Sequence, residues 1–171
     1  MKPHDTADIV VGVDRHAAVQ EKELRSAPSR NFQGMNLSGL CFSGAQLAGA
    51  DFRGARLRGT RFDCADLSGA DFTGADLELA VLGGAILKGA CFRDANLERA
   101  NLVGVDAGDA DFSGARMYFS RPGNGNFSRS SFRGAQLDRA IFRRANLTDC
   151  DLSDATGVPN FENAQLEGIK K

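Results

Sequence analysis

Ala50-Asp51-Phe52-Arg53-Gly54 and Ala65-Asp66-Leu67-Ser68-Gly69 are one five-residue phrase written twice: a small residue, an acid, a large apolar residue, a variable one and a glycine. The phrase runs through most of the chain. Every fifth residue from Phe32 to Leu152 gives 25 positions, and 23 of them are Phe, Leu or Met, the exceptions being Ala107 and Pro122. Two residues before each of these centres stands Ala in 16 of the 25 cases, and six more are small: Thr60, Val105, Ser120, Gly125, Ser130 and Cys150. The residue just before the centre is often Asp or Asn, as at Asp71, Asp76, Asn96 and Asn146, and the second one after it is often Gly, as at Gly44, Gly49 and Gly89.

A helix cannot use this period, because steps of about 140° smear the apolar residues over every face. A strand, whose faces alternate with period two, cannot use it either. A chain that turns a corner every five residues can. Each side is then a short extended segment with the centre and the Ala pointing inward, and the Gly fits a turn position with positive φ.

The phrase resembles the motif of the pentapeptide-repeat family, A-(D/N)-(L/F)-x-x, and the likeness spans about residues 30–156. The fold it implies is all-β: a right-handed quadrilateral β-helix with four pentapeptides per coil. Residues 20 apart then stack. Phe32, Phe52, Phe72, Phe92, Phe112 and Phe132 form one ladder, and Leu37, Leu57, Leu77, Leu97, Met117 and Leu137 a second. The third runs Phe42, Phe62, Leu82, Leu102, Pro122, Phe142, and the fourth Leu47, Leu67, Leu87, Ala107, Phe127, Leu147. The four ladders name the four sides. In the fourth, small Ala107 lies one coil below large Phe127, so total volume is roughly kept. Ser120–Asn126 is expected to be a distorted corner without inserted residues. About six coils at about 4.8 Å give a rod roughly 29 Å long.

The expected organisation is an N-terminal cap or tail over 1–29, the solenoid over 30–156, and a closing coil and cap over 157–171, where Gly157-Val158-Pro159 breaks the register and Phe161 and Leu166 resume it shifted. Arg30, Met35 and Leu40, too large for the Ala slot, are expected to plug the bottom of the rod. Before them, Ile9–Val13 suggests a short strand and Asp14–Leu24 a short helix.

With 21 basic and 22 acidic residues the net charge is −1, which gives no electrostatic basis for nucleic-acid binding. No segment approaches the roughly 20 apolar residues of a membrane span, and the start lacks a signal-peptide layout, so a cytoplasmic chain with no membrane contact is expected. Cys41, Cys64, Cys91 and Cys150 form no CxxC pair and read as solitary reduced thiols. The only histidines, His4 and His16, lie outside the repeat. The Asp columns belong to the motif and suit hydrogen bonding near the turns. Gly123-Asn124-Gly125 is too short for a phosphate loop. No catalytic residue, metal site or cofactor is therefore expected, and the chain reads as a non-enzyme.

The informative outward positions are those that break the polar rule. Before the third-side centres stand Val81, Arg121 and Ile141, with Val103 following its own centre. The second side adds Leu79, Tyr118 and Phe119 after its centres, and the fourth adds Ile86. Arg116, Arg143 and Arg144 flank them. Apolar groups with aromatics and arginine on a surface mark a contact. The expected function is a rigid protein-protein interaction module whose partner is an unidentified protein or a second copy of the chain in a homodimer. The family resemblance implies an alternative. Some of its bacterial members protect DNA gyrase from quinolones or peptide toxins, imitating DNA by shape and negative charge. Residues 30–156 hold 15 acidic and 15 basic residues, and Arg53, Arg56, Arg58 and Arg61 make a basic strip, which suits a DNA mimic poorly.

Overall fold

Each N–H of the repeat Ala50–Gly54 has an acceptor, and together the five acceptors build the fold. Asp51 donates back one coil to the Arg30 carbonyl at 2.8 Å, while Phe52 and Gly54 donate forward to Asp71 at 2.7 Å and Thr73 at 2.9 Å. Ala50 closes the preceding turn on the Leu47 carbonyl at 3.1 Å. The Arg53 N–H meets no carbonyl and goes to Asp51 Oδ1 at 3.0 Å. Three bonds tie the repeat to its neighbouring coils, one makes a turn, and the side chain before the centre satisfies the last. The same side-chain bond recurs from Ser68 to Asp66 at 3.0 Å, Thr73 to Asp71 at 2.9 Å and Thr148 to Asn146 at 3.0 Å, which is why the motif asks for Asp or Asn there.

The structure, a computed structural model, describes residues 30–171. The expectations for 1–29, including the strand, the helix, His4 and His16, lie outside the described residues. Parallel bridges join residues 20 apart from Asn31↔Asp51 to Gln136↔Thr156, with four turns to each coil. The chain is a repeat β-solenoid, and among the described residues there is no helix. The second residue of every turn from Gly34 to Asp154 has φ between +54° and +73°, the type II pattern that favours Gly.

Inside, the first-side phenylalanines stack with ring centroids 4.7 to 5.0 Å apart and planes within 12° of parallel. They meet the third ladder edge-on, as Phe52 does Phe62 at 5.6 Å. Burial of these rings and of the Ala slots, almost all at 0% exposure from Ala50 to Ala145, is the main stabilising contribution. Where the slot holds a polar residue, its group bonds a carbonyl of the coil below: Thr60 to Leu37 at 2.8 Å, Ser130 to Ala107 at 2.7 Å and Cys150 to Phe127 at 2.9 Å. The Ser120 hydroxyl, equally buried, has no hydrogen-bond partner among the described residues.

Phe127 fills the space that Ala107 leaves, with its ring edge-on to Phe112 at 5.8 Å and to Phe142 at 5.7 Å. Its ring also explains Gly125, since a Cβ there would lie 2.6 Å from a Phe127 ring carbon. Ser120–Asn126 holds the 20-residue register through Asn101↔Arg121 and Asp106↔Asn126. What it loses is one bridge: Pro122 has no N–H to give, and Arg121 and Ile141 are not paired.

One expectation about the ends needs correction. Arg30 does not plug the bottom; it is exposed, and its guanidinium donates to the Ala48 carbonyl at 2.5 Å, because a charge stays where water can reach it. Only Leu40 of the three is fully buried, at 2% exposure, and Met35 is half-buried. At the other end coil pairing runs on past 156 into the shifted segment of Phe161 and Leu166. It continues with a side one residue short, so that Ile141↔Asn160, Asn146↔Gln165 and Asp151↔Lys170 pair 19 apart. Gly157, at φ +97°, makes the short corner, where a Cβ would strike the Asp138 backbone nitrogen at 2.5 Å. Phe161 thereby rejoins the stack at 5.5 Å from Phe142.

Candidate functional site

Leu79 and Phe119 occupy the second residue of their turns, at the corner between the second and third sides, with φ of 61° and 54°. Each such residue costs roughly 1–2 kcal/mol in the left-handed region, where Gly is free of strain. Both are large and exposed, Leu79 at 45% and Phe119 at 36%. Tyr118 packs edge-on against Phe119, with ring centroids 4.5 Å apart. The Arg139 guanidinium lies over the other ring, 5.1 Å from the Phe119 centroid. Read up this corner, the turn residues are Leu79, Arg99, Phe119 and Arg139.

Around the corner on the third side, Val81, Asn101, Arg121 and Ile141 stand one above another. Val81 and Val103 are half-buried, whereas Arg121 and Ile141 are exposed. Val81, Ile86 and Ile141 replace the Asp or Asn that would accept the N–H two residues on, so each gives up that bond. Ile86 is exposed at 42% but belongs to the fourth side, between Asp66 and Asp106 in the ladder. The eight residues thus divide. Tyr118, Phe119, Arg121, Ile141 and Val103 gather on the upper third side and its edge; Leu79 and Val81 lie lower, and Ile86 stands apart around the next corner.

The missing Arg121–Ile141 bridge leaves a pocket of about 280 Å³ on this upper side, lined by Val103, Arg121, Gly123, Asn124, Ile141, Arg143 and Arg144. Arg143 pairs with Glu162 at 3.3 Å. Arg116 instead belongs to the second side, where it approaches Glu98 at 3.7 Å. Arg99 and Arg139 were not singled out from the sequence. The signal for them was present: taking every twentieth residue at the turn position, as was done for the centres, gives the alternating column of apolar groups and arginines.

Elsewhere most arginines pair with a carboxylate. Arg53 pairs with Asp51 at 2.5 Å, Arg58 with Glu78 at 2.8 Å and Arg129 with Asp109 at 2.7 Å, and Arg93 with Asp111. The Arg53 guanidinium holds the Asp51 carboxyl below its usual range. Burial pushes Asp111 up, but hydrogen bonds from Ser113 and the Arg93 guanidinium outweigh it and leave it lowered. Burial drives the Cys150 thiol the other way, up to about 11. Among the described residues no group of three or more His, Cys, Asp or Glu is placed to hold a metal ion.

A family model for pentapeptide repeats matches in eight copies over residues 31–63, 41–78, 50–89, 61–99, 90–121 and 124–156. No curated protein matches the chain. Among solved structures, full-length QnrB1, a plasmid-mediated fluoroquinolone resistance protein, is 22% identical with a TM-score of 0.55, over 82% of this chain and 90% of its own. The pentapeptide repeat protein alr5209 from Nostoc PCC 7120 is 31% identical with a TM-score of 0.53, over 60% of this chain and 84% of its own. With matched repeats running nearly unbroken from Asn31 to Thr156, the chain belongs to the pentapeptide-repeat family.

Proposed function

We propose that this protein is a non-enzymatic binding rod whose third side, with the edge bearing Leu79 and Phe119, takes a protein partner. One observation carries the reading: two large apolar residues stand exposed at strained turn positions where Gly would serve the fold better. Thirteen described non-Gly residues share this positive φ, and Leu79 and Phe119 differ from the other eleven in being large, apolar and exposed. The filled interior, with its side chains at or near 0% exposure, offers a substrate no cleft, which supports a non-enzymatic role. The same reading takes the rod as right-handed, of about six coils, and cytoplasmic.

The alternative, a topoisomerase-binding rod that imitates DNA, rests on a likeness to QnrB1 that is one of fold. The arginines of the upper third side have the wrong sign for such a mimic. A gyrase supercoiling assay with and without quinolone tests it, and protection at low micromolar protein would put it first.

The binding rod is tested by placing a photo-crosslinking amino acid at Phe119 or, on the opposite chemistry, at Arg53 of the first side, and irradiating in the native host. Adducts are expected from position 119 and not from 53, and light scattering of the purified chain shows whether the partner is a second copy. Equal adduct yields from both positions would refute the assignment of the binding side.

A further inference from the structure

Three successive third-side segments, residues 99–104, 119–124 and 139–144, contain Arg99, Arg121, Arg139, Arg143 and Arg144 and no carboxylate. In a chain of net charge −1 this is a local excess that the other sides do not show. Arg53, Arg58, Arg93, Arg116, Arg129 and Arg133 each have an acidic neighbour. On the upper third side only Arg143 has one, Glu162. Arg99, Arg121, Arg139 and Arg144 have no ion pair among the described residues, and away from this side Arg30 and Arg56 are the comparable exceptions.

These arginines are arranged around apolar groups. Arg99 and Arg139 lie one coil below and one coil above Phe119 on the same corner, and the Arg139 guanidinium covers the Phe119 ring. Arg121 and Arg144 line the pocket of about 280 Å³ together with Val103 and Ile141. Pro122 lies between these segments, and without its N–H the Arg121–Ile141 bridge is absent and the Ile141 carbonyl loses its ladder donor. Guanidinium groups held near one another without counter-charges repel, and a partner that supplies carboxylates relieves that repulsion while gaining charge-assisted hydrogen bonds.

We propose that the upper third side docks an acidic polypeptide segment of the partner. A carboxylate side chain enters the pocket between Arg121 and Arg144, and an apolar side chain covers Phe119 and Ile141. This rests on the reading of the third side as the binding side and adds the chemistry of what binds there. The apolar interleaving favours a polypeptide over a nucleic acid. So does the size: the arginines span two inter-coil steps, about 10 Å.

The probe is a fluorescein-labelled dodecapeptide, three repeats of Glu-Leu-Glu-Gly, titrated with the full chain by fluorescence anisotropy at low salt. Its Lys-for-Glu counterpart and a labelled 12-nucleotide DNA, single- and double-stranded, are titrated beside it. The acidic peptide is expected to bind and the basic one not. Arg121→Ala with Arg144→Ala should weaken binding at least about tenfold, and Arg53→Ala with Arg93→Ala, on the first side, should leave it unchanged. Circular dichroism confirms that both variants fold. Equal binding of the two peptides, no binding of either, or equal loss in both variants would overturn the proposal. Tighter binding of the oligonucleotide, lost in the Arg121/Arg144 variant, would make the side a nucleic-acid surface instead. Crosslinking from position 119 without acidic-peptide binding would leave the binding side standing and remove only the acidic partner.

Discussion

Replacing Gly125 by Ala, the residue that its slot holds in most other repeats, should destabilise the protein. The fourth-side slots Ala45, Ala65, Ala85 and Ala145 all carry the consensus residue, and a consensus argument would predict a gain at 125. The geometry predicts a loss. A Cβ at 125 would stand 2.6 Å from one Phe127 ring carbon, 3.2 Å from another and 3.1 Å from the Pro122 carbonyl oxygen. The ring has nowhere to retreat, since Phe112, Phe132 and Phe142 surround it with centroids 5.7 to 5.8 Å away. Overpacking of this kind costs roughly 1–3 kcal/mol, and removing Gly from the unfolded chain returns only about 0.4–1 kcal/mol. At about 2–4 °C per kcal/mol for a chain of this size, the melting temperature should drop by several degrees. Phe127→Leu alone should also cost about 1–2 kcal/mol, through the space it leaves. Combined, the two restore the consensus pair, and the Cβ then occupies part of the vacated volume. The double variant should be more stable than the sum of the singles predicts by at least about 1 kcal/mol. Urea titrations of the four proteins measure this. Additive singles, or a Gly125→Ala variant more stable than the parent, would refute the claim that Gly125 exists to admit the Phe127 ring.

Four further outcomes follow from the same structure. Ser120→Ala removes a buried hydroxyl with no partner and should raise stability by about 1 kcal/mol, whereas Ser130→Ala breaks the 2.7 Å bond to Ala107 and should lower it by a similar amount; opposite shifts in urea midpoint are the check. Leu79→Gly relieves a φ of +61° and should raise the melting temperature by a few degrees while weakening partner crosslinking. Cys150, its thiol pushed up to about 11 by burial, should resist maleimide at pH 8 until the chain unfolds, while exposed Cys64 labels at once; mass spectrometry after a short pulse separates them. The Ser68 hydroxyl and backbone N–H hold the Asp66 carboxyl below its ordinary value, and those of Ser153 do the same for Asp151. Folded values below the unfolded value of about 3.9 contribute stability that is present above that pH and lost as pH falls through the lowered values, so the urea midpoint should decline below about pH 4, and less steeply in Asp66→Asn with Asp151→Asn.

The fold was legible because a pentapeptide solenoid repeats one local solution, and each letter of the motif has one job. Phe or Leu fills the centre, Ala leaves room for the neighbouring ring, Asp or Asn accepts the N–H that no carbonyl meets, and Gly takes positive φ. The ladders of residues 20 apart could therefore be written down from the sequence, including the pairing of Ala107 with Phe127. Arg30 was misread because its position belongs to the inward slot, while at the first coil a charged side chain can turn aside to water and bond Ala48. Beyond Thr156 the shifted return of Phe161 and Leu166 is legible, but the partners 19 residues apart are not, because a side with one residue missing shifts every later letter. The candidate site was only half legible. Outward apolar residues could be named, but whether Val81 and Val103 lie half-buried, and which arginines lack partners, depends on neighbours one coil away on adjoining sides. Ile86 reads from the sequence as a fourth-side residue of the same patch; the corner at Gly83 and Gly84 separates it from the rest.

What sets the upper third side apart is that several independent departures from the motif converge on it, each unfavourable for folding. Phe119 holds a strained turn angle where Gly would not. Ile141 gives up the side-chain bond that Asp or Asn supplies, and Pro122 removes a rung of the hydrogen-bond ladder. Among the described residues four arginines stand without counter-charges. In a solenoid, stability is close to a sum over coils and their interfaces, so such local losses are tolerated as long as the interior ladders remain intact. Those ladders do remain intact through the same coils: Phe112 and Phe132 stack at 5.0 Å directly beside the distorted corner. The interior thus carries the fold while one outer side is released from the motif's demands. Among the described residues neither the core nor the turns need Phe119, Ile141 or the four arginines that lack an ion pair, and the proposed partner, offering carboxylates and an apolar side chain, is the chemistry that answers all of them together.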